Sequence, residues 1–125
     1  MATTVSTYYA QAVGTSILQS SYVALIRQDG TECPIGRVAL GTVSVDSSSD
    51  TTYHIVSNAT EIVFAVASSD VAPTTNPITQ VALYTASTGG NQLAITDLAS
   101  SKPYLSGDQF RIPIGMLQFK IQKTV

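Results

Sequence analysis

The sequence predicts an all-β fold: an antiparallel β-sandwich, jelly-roll-like or Ig-like, of about seven or eight short strands. Three observations predict it. Near the end of the chain Leu117, Phe119 and Ile121 alternate with Gln118, Lys120 and Gln122, the period-two pattern of a half-buried strand. Runs of strand formers recur upstream, separated by Gly, Asp and Pro turn signals. At 125 residues the chain can also bury one core without a disulfide or metal staple.

Residues 1–20 are expected to form an N-terminal arm or a short helix. Tyr8 or Tyr9, Ala12, Val13 and Ile17 fall near helical spacing, but Gly14 interrupts them and β-branched residues are frequent, so both forms remain open. Residues 21–125 read as a single β-sandwich domain. Ser21 to Arg27 is a strand, and Gln28-Asp29-Gly30-Thr31 supplies an Asp-Gly turn that closes a hairpin. The stretch from Cys33 to Val45 should return antiparallel, with Pro34, Gly36 and Gly41 suiting an edge or bulged position. Asp46 to Thr52 is a polar loop and Tyr53 to Val56 a short strand. Asn58-Ala59-Thr60 leads into Glu61 to Ala67, where Ile62, Phe64 and Val66 should share one core face. Ser68 to Pro77 is a loop, because proline removes a ladder donor and biases its predecessor to an extended shape. Ile78 to Thr85, Gln92 to Leu98, Asp108 to Pro113 and Met116 to Gln122 complete the strands, with reversals at Gly89-Gly90 and Gly107-Asp108. Alternation assigns Leu83, Leu93, Phe110, Ile112, Leu117 and Phe119 to the core. The tripeptide Val-Ala-Leu occurs three times, beginning at Val23, Val38 and Val81, without the constant spacing of a duplication.

Composition narrows the function. Charged residues make up 11% of the chain, against about 25% in an average soluble domain, and mean hydropathy is +0.21. The surface must therefore be rich in hydroxyl and amide side chains, which protect poorly against self-association, so permanent cover by partner subunits is expected. The net charge of −2 and six scattered basic residues argue against nucleic acid as a partner. The N-terminus lacks the basic and apolar regions of a secretory leader, and no stretch is long enough to span a bilayer, so no membrane insertion is expected. The single cysteine, Cys33, reads as a small buried or edge residue.

Reactive constellations are missing. His54 is the only histidine, and Asp50 and Glu61 show no ligand spacing around it. Asp46 to Asp50 lacks the alternating oxygens, central glycine and closing glutamate of a calcium loop. Asn58-Ala59-Thr60 has the form of a glycosylation acceptor but reads as a turn in a chain without a leader. No nucleophile elbow or phosphate loop is present, and Gly89-Gly90 is a hairpin turn. No catalytic residue, metal ligand or cofactor is expected.

The order of these elements carries a resemblance. Val81 to Tyr84, Ala86 to Gly90, Leu93 to Leu98 and Ser106 to Leu117 follow a strand, a T-G-G-like turn, a return strand and a G-D-x-F-x-I-P-x-G-x-L stretch before the final alternating strand. Together with Tyr22 to Ile26 upstream, this resembles short tailed-bacteriophage proteins of the tail fibre protein type. The resemblance implies a non-enzymatic, multimeric virion component made in the host cytoplasm. Its partners would be copies of itself, as a homotrimer, the major capsid protein or tail proteins, and the host surface. A chain of this size that stops two residues after Lys123 is expected to be a capsid decoration, or cement, protein that stabilises the capsid lattice. The alternative is a tail fibre or baseplate component involved in host attachment. Tyr8, Tyr9, Ile17 and Leu18 form the expected docking strip, and Tyr104 with Tyr84 the aromatic platform of the attachment reading.

Overall fold

The computed structural model describes residues 4–124. In chain order it contains α1 (Thr7–Ser16), a 3-10 turn (Leu18–Ser20), β1 (Tyr22–Arg27), β2 (Val38–Ala39), β3 (Val43–Asp46), β4 (Tyr53–Asn58), β5 (Ile62–Val63), β6 (Ile78–Tyr84), β7 (Gln92–Lys102), β8 (Arg111–Ile112) and β9 (Gln118–Gln122). The fold is all-β as predicted, with antiparallel pairing in a four-stranded sheet β2-β1-β6-β7 and a three-stranded sheet β3-β4-β9; β5 and β8 form a two-stranded sheet. The chain folds into two compact units. One comprises Met1–Ser20, Leu40–Ile62 and Ile112–Val125, and the other Ser21–Ala39 and Val63–Arg111.

In the first unit the open question about the N-terminus is answered by a helix. Ser6 caps α1, its hydroxyl accepting the Tyr9 N–H at 3.1 Å. Ala10 and Leu18 are buried, and the Gln19 side-chain oxygen accepts the Val43 N–H at 3.1 Å, which ties the turn after α1 to the start of β3. Ahead of the helix, the Val5 N–H donates to the Lys123 carbonyl at 2.5 Å. His54 holds the same residue: its Nε2 lies 2.6 Å from the Val5 carbonyl and its Nδ1 2.8 Å from the Ser47 hydroxyl. A carbonyl only accepts, so Nε2 donates its proton to the Val5 carbonyl. His54 is thus a satisfied strand histidine. Along β4 burial alternates, with His54, Val56 and Asn58 pointing inward, and Val56 lies opposite Phe119 of β9.

In the second unit the repeated tripeptide acquires a structural meaning. Val23, Ala24 and Leu25 lie opposite Leu83, Ala82 and Val81, and Val38 lies opposite Val23 on the other side. The copies beginning at Val23 and Val81 are the two central strands of this sheet, and Val38-Ala39 of the third forms the edge strand β2 beside them. Four consecutive residues of β1, Val23 to Ile26, are buried, so this strand is covered on both faces and reads as an unbroken apolar run. Phe64, Tyr104 and Phe110 form an aromatic cluster, with Phe110 edge-on to Phe64 and stacked on Tyr104.

Several expectations need correction. The stretch from Cys33 to Val45 serves two sheets, breaking near Gly41 at φ +77°. From Glu61 to Ala67 only Ile62 and Val63 are strand. Beyond them Phe64 donates to the Phe110 carbonyl and Ala67 to the Asp108 carbonyl, and Val66 faces solvent. Leu93 is exposed on the end strand β7, at the register shift between Leu83 and Tyr84 that alternation alone does not reveal. Leu83, Ile112 and Leu117 are buried as expected, whereas Phe110 and Phe119 are half-buried.

Candidate interaction surfaces

Most side chains that could perform chemistry are instead engaged in holding loops. Asp46 and Asp50 organise the polar loop. Asp46 accepts the Ser48 and Ser49 N–H groups and their hydroxyls, and Asp50 accepts the N–H groups of Thr52 and Tyr53. The Lys123 ammonium donates to the Ser47 and Asp50 carbonyls at 2.7 and 2.6 Å, placing the chain's own cation on the loop. Among the described residues no group of three His, Cys, Asp or Glu side chains is placed to hold a metal ion.

These hydrogen bonds hold both carboxyls below their ordinary value of 3.8: for Asp46 the Ser49 hydroxyl and then the Ser48 and Ser49 amides, for Asp50 the Thr52 and Tyr53 amides followed by the charges of Lys120 and Lys123. A carboxyl whose folded-state pKa is depressed contributes stability that is present above its unfolded pKa and is lost as pH falls through the folded value. As pH falls below 3.8 and through the folded-state values, this loop should therefore loosen. In an NMR titration the Ser48, Ser49, Thr52 and Tyr53 amides should shift with midpoints below 3.8. Midpoints at or above that value would remove the capping role.

In the second unit Arg37 secures the glycine turn. Its side chain is 8% exposed and forms a two-pronged pair with Glu32, with Nε to Oε2 at 3.1 Å and Nη2 to Oε1 at 2.9 Å. Its Nη1 donates to the Ala86 and Gly89 carbonyls at 2.8 and 2.7 Å, and the guanidinium lies 3.9 Å from the centre of the Tyr84 ring. The turn itself depends on Gly90, at φ +70°, where a Cβ would approach the Thr85 hydroxyl to 2.6 Å; Gly89, at φ +64°, has open space. Gly90→Ala should cost about 1 kcal/mol more than Gly89→Ala, since only the first adds a clash to the backbone strain. Equal melting curves for the two variants would refute that assignment.

The residues predicted for interfaces separate into two groups. Tyr8, Tyr9 and Ile17 are exposed, Tyr8 at 81%. Leu18 is a core residue, and so is Tyr104, which is 1% exposed, donates its hydroxyl to the Ala65 carbonyl and exchanges backbone hydrogen bonds with Ala72. Desolvation accordingly raises the Tyr104 pKa. The aromatic platform does not exist, because Tyr104 is enclosed and Arg37 covers Tyr84. A cleft of about 360 Å³ is lined by Lys102, Asp108, Phe110 and Arg111 among others.

Two exposed apolar sites escaped the sequence reading. One is the turn after β8, where Ile114 and Met116 stand 65% and 70% exposed. Buried Asn58 fixes this turn: its amide donates to the Thr60 and Pro113 carbonyls, its side-chain oxygen accepts the Leu117 N–H, and its own carbonyl accepts the Gly115 N–H. That commitment also rules out Asn58 as a glycan acceptor in the folded chain. The other is β7, which shows Leu93 and Ile95 at the sheet edge. The Pro-Ile-Gly-Met sequence between two strands was the available signal for the first, since an apolar turn has no core to enter.

No curated protein matches the chain. Over residues 4–120, which include residues of both units, the sequence matches the family described as Podophage GP4 fiber I protein gp80. The chain belongs to this family of phage fibre proteins.

Proposed function

We propose that the chain is a non-enzymatic structural subunit of a phage fibre, which assembles with copies of itself and with tail proteins and takes part in host attachment. The family match over residues 4–120 carries this reading. The engagement of its reactive side chains supports it. His54 is tied between Ser47 and Val5, Cys33 is buried with its thiol pKa raised by desolvation, and Arg37 is engaged by Glu32 and two carbonyls. The exposed large hydrophobic side chains suit packing: Tyr8 and Tyr9 on α1, Ile114 and Met116 on an anchored turn. Such a surface suits permanent partners better than free solution.

The cement reading rests on size alone, whereas the family description names a fibre, so the fibre is preferred. Antibody fragments raised against the purified chain should decorate the fibres of negatively stained virions. Label spread over the capsid shell would restore the cement reading.

A further inference from the structure

We infer that the chain associates with copies of itself head to tail, the apolar turn at residues 113–116 of one copy docking on Tyr8 and Tyr9 of the next, in a ring that closes at three. The inference rests on the fibre-subunit reading and gives it a contact. Among the described residues the three most exposed large hydrophobic side chains are Tyr8, Met116 and Ile114, at 81%, 70% and 65%, and all three belong to the first unit. They lie at opposite ends of its sheet. Val5, ahead of α1, is held by His54 and Lys123 at the end where β4 begins. From there α1 leads along the sheet to Gln19, which binds Val43 beside Asn58, where β4 ends. Tyr8 and Tyr9 stand in the first turn of α1, whereas the apolar turn hangs from Asn58. His54 and Asn58 are four residues apart along the strand, about 13 Å. Both apolar sites stay exposed in the same chain, so neither covers the other.

Two different patches that meet each other make a heterologous contact, which forms a ring where the rotation closes. The turn supplies the projecting half. Its Met116 N–H donates to the Pro113 carbonyl at 3.1 Å, Gly115 takes φ +78°, and the Asn58 side chain holds the chain on both sides. Ile114 and Met116 are therefore presented in place, and little freedom is lost on docking. The tyrosine rings are the receptive half, because methionine sulfur packs favourably against aromatic rings. Neither half brings charge: residues 1–26 and 112–119 contain no Asp, Glu, Lys or Arg, and charge is what the dry centre of an interface excludes. Area argues for closure. An aromatic side chain buries roughly 150–250 Å², so two tyrosines against one turn bury about 400 Å² per partner, half of the roughly 800 Å² of a stable pair. One contact is too small to hold two copies, whereas in a closed ring every copy makes two contacts and reaches that area. A ring of three agrees with the homotrimer expected of the chain.

Gln11→Cys combined with Gln118→Cys tests this. Gln11 lies one helical turn from Tyr8 and Gln118 two residues beyond Met116, both exposed, and the native thiol, Cys33, is buried. Treated with a short bis-maleimide, the purified full chain carrying both substitutions should link into products of two and three copies. Either single variant should stay unlinked, since position 11 of one copy meets position 118 of the next and never its own counterpart. Adding Ile114→Asp and Met116→Asp should lower the linked product at least about tenfold while circular dichroism stays unchanged, both side chains being exposed. Linking by a single variant, products that stop at two copies or run past three, or product that survives the two aspartates overturns the proposal. A chain that is trimeric by light scattering yet unlinked through positions 11 and 118 overturns this contact alone; the fibre reading is tested separately by the virion labelling, which the cross-linking does not touch.

Discussion

Asn58→Ala is expected to destabilise the chain by about 3 kcal/mol or more, a large share of the roughly 5–15 kcal/mol that holds a domain of this kind together. The side chain is buried with every polar group used: two donors on the Thr60 and Pro113 carbonyls and one acceptor for the Leu117 N–H. Truncation orphans all three partners, and each buried group left without a partner costs about 1–3 kcal/mol. Asn58→Asp should fare no better, because it keeps the acceptor but turns a carboxylate toward two carbonyl oxygens. Urea unfolding of the two variants checks this. A loss below about 1 kcal/mol for either would mean that the turn carrying Ile114 and Met116 is held by something else.

Arg37→Ala should cost a comparable amount, about 3 kcal/mol, by leaving Glu32 and the Ala86 and Gly89 carbonyls without their donor. The Glu32 side chain is 35% exposed, so water recovers part of its loss. Arg37→Lys should rescue less than half, because one ammonium cannot reach a carboxylate in two-pronged fashion and two carbonyls together. Hydrogen exchange adds a local readout: Thr85 donates its backbone N–H to the Asn91 carbonyl and Asn91 donates its own to the Thr85 hydroxyl, and both amides should lose protection in Arg37→Ala. Retained protection would separate the arginine from the turn.

These two residues show where sequence reading stops. Strands with a period-two pattern or an unbroken apolar run were legible: Tyr22–Arg27, Ile78–Tyr84 and Gln118–Gln122 appear almost where alternation and strand propensity place them. Asn58 and Arg37 were not, because most of their partners are backbone carbonyls and amides, and a backbone group leaves no mark in the residue string. Edge position is equally silent. Leu93 reads as a core residue by pattern but is exposed on β7, the end strand of its sheet among the described residues, at the register shift between Leu83 and Tyr84. Tyr104 failed in the opposite direction: expected in an exposed aromatic platform with Tyr84, it is buried, its backbone bridged to Ala72. The family likeness was legible from the order of turns and strands after Ile78, while the choice between capsid and fibre rested on size, which carries no information about location.

The central claim, that this chain is a fibre subunit, is tested most directly by its copy number in purified virions relative to the major capsid protein, measured by quantitative mass spectrometry. The fibre assignment predicts a few copies for every hundred capsid subunits; a ratio near one to one, or absence from the particle, would contradict it.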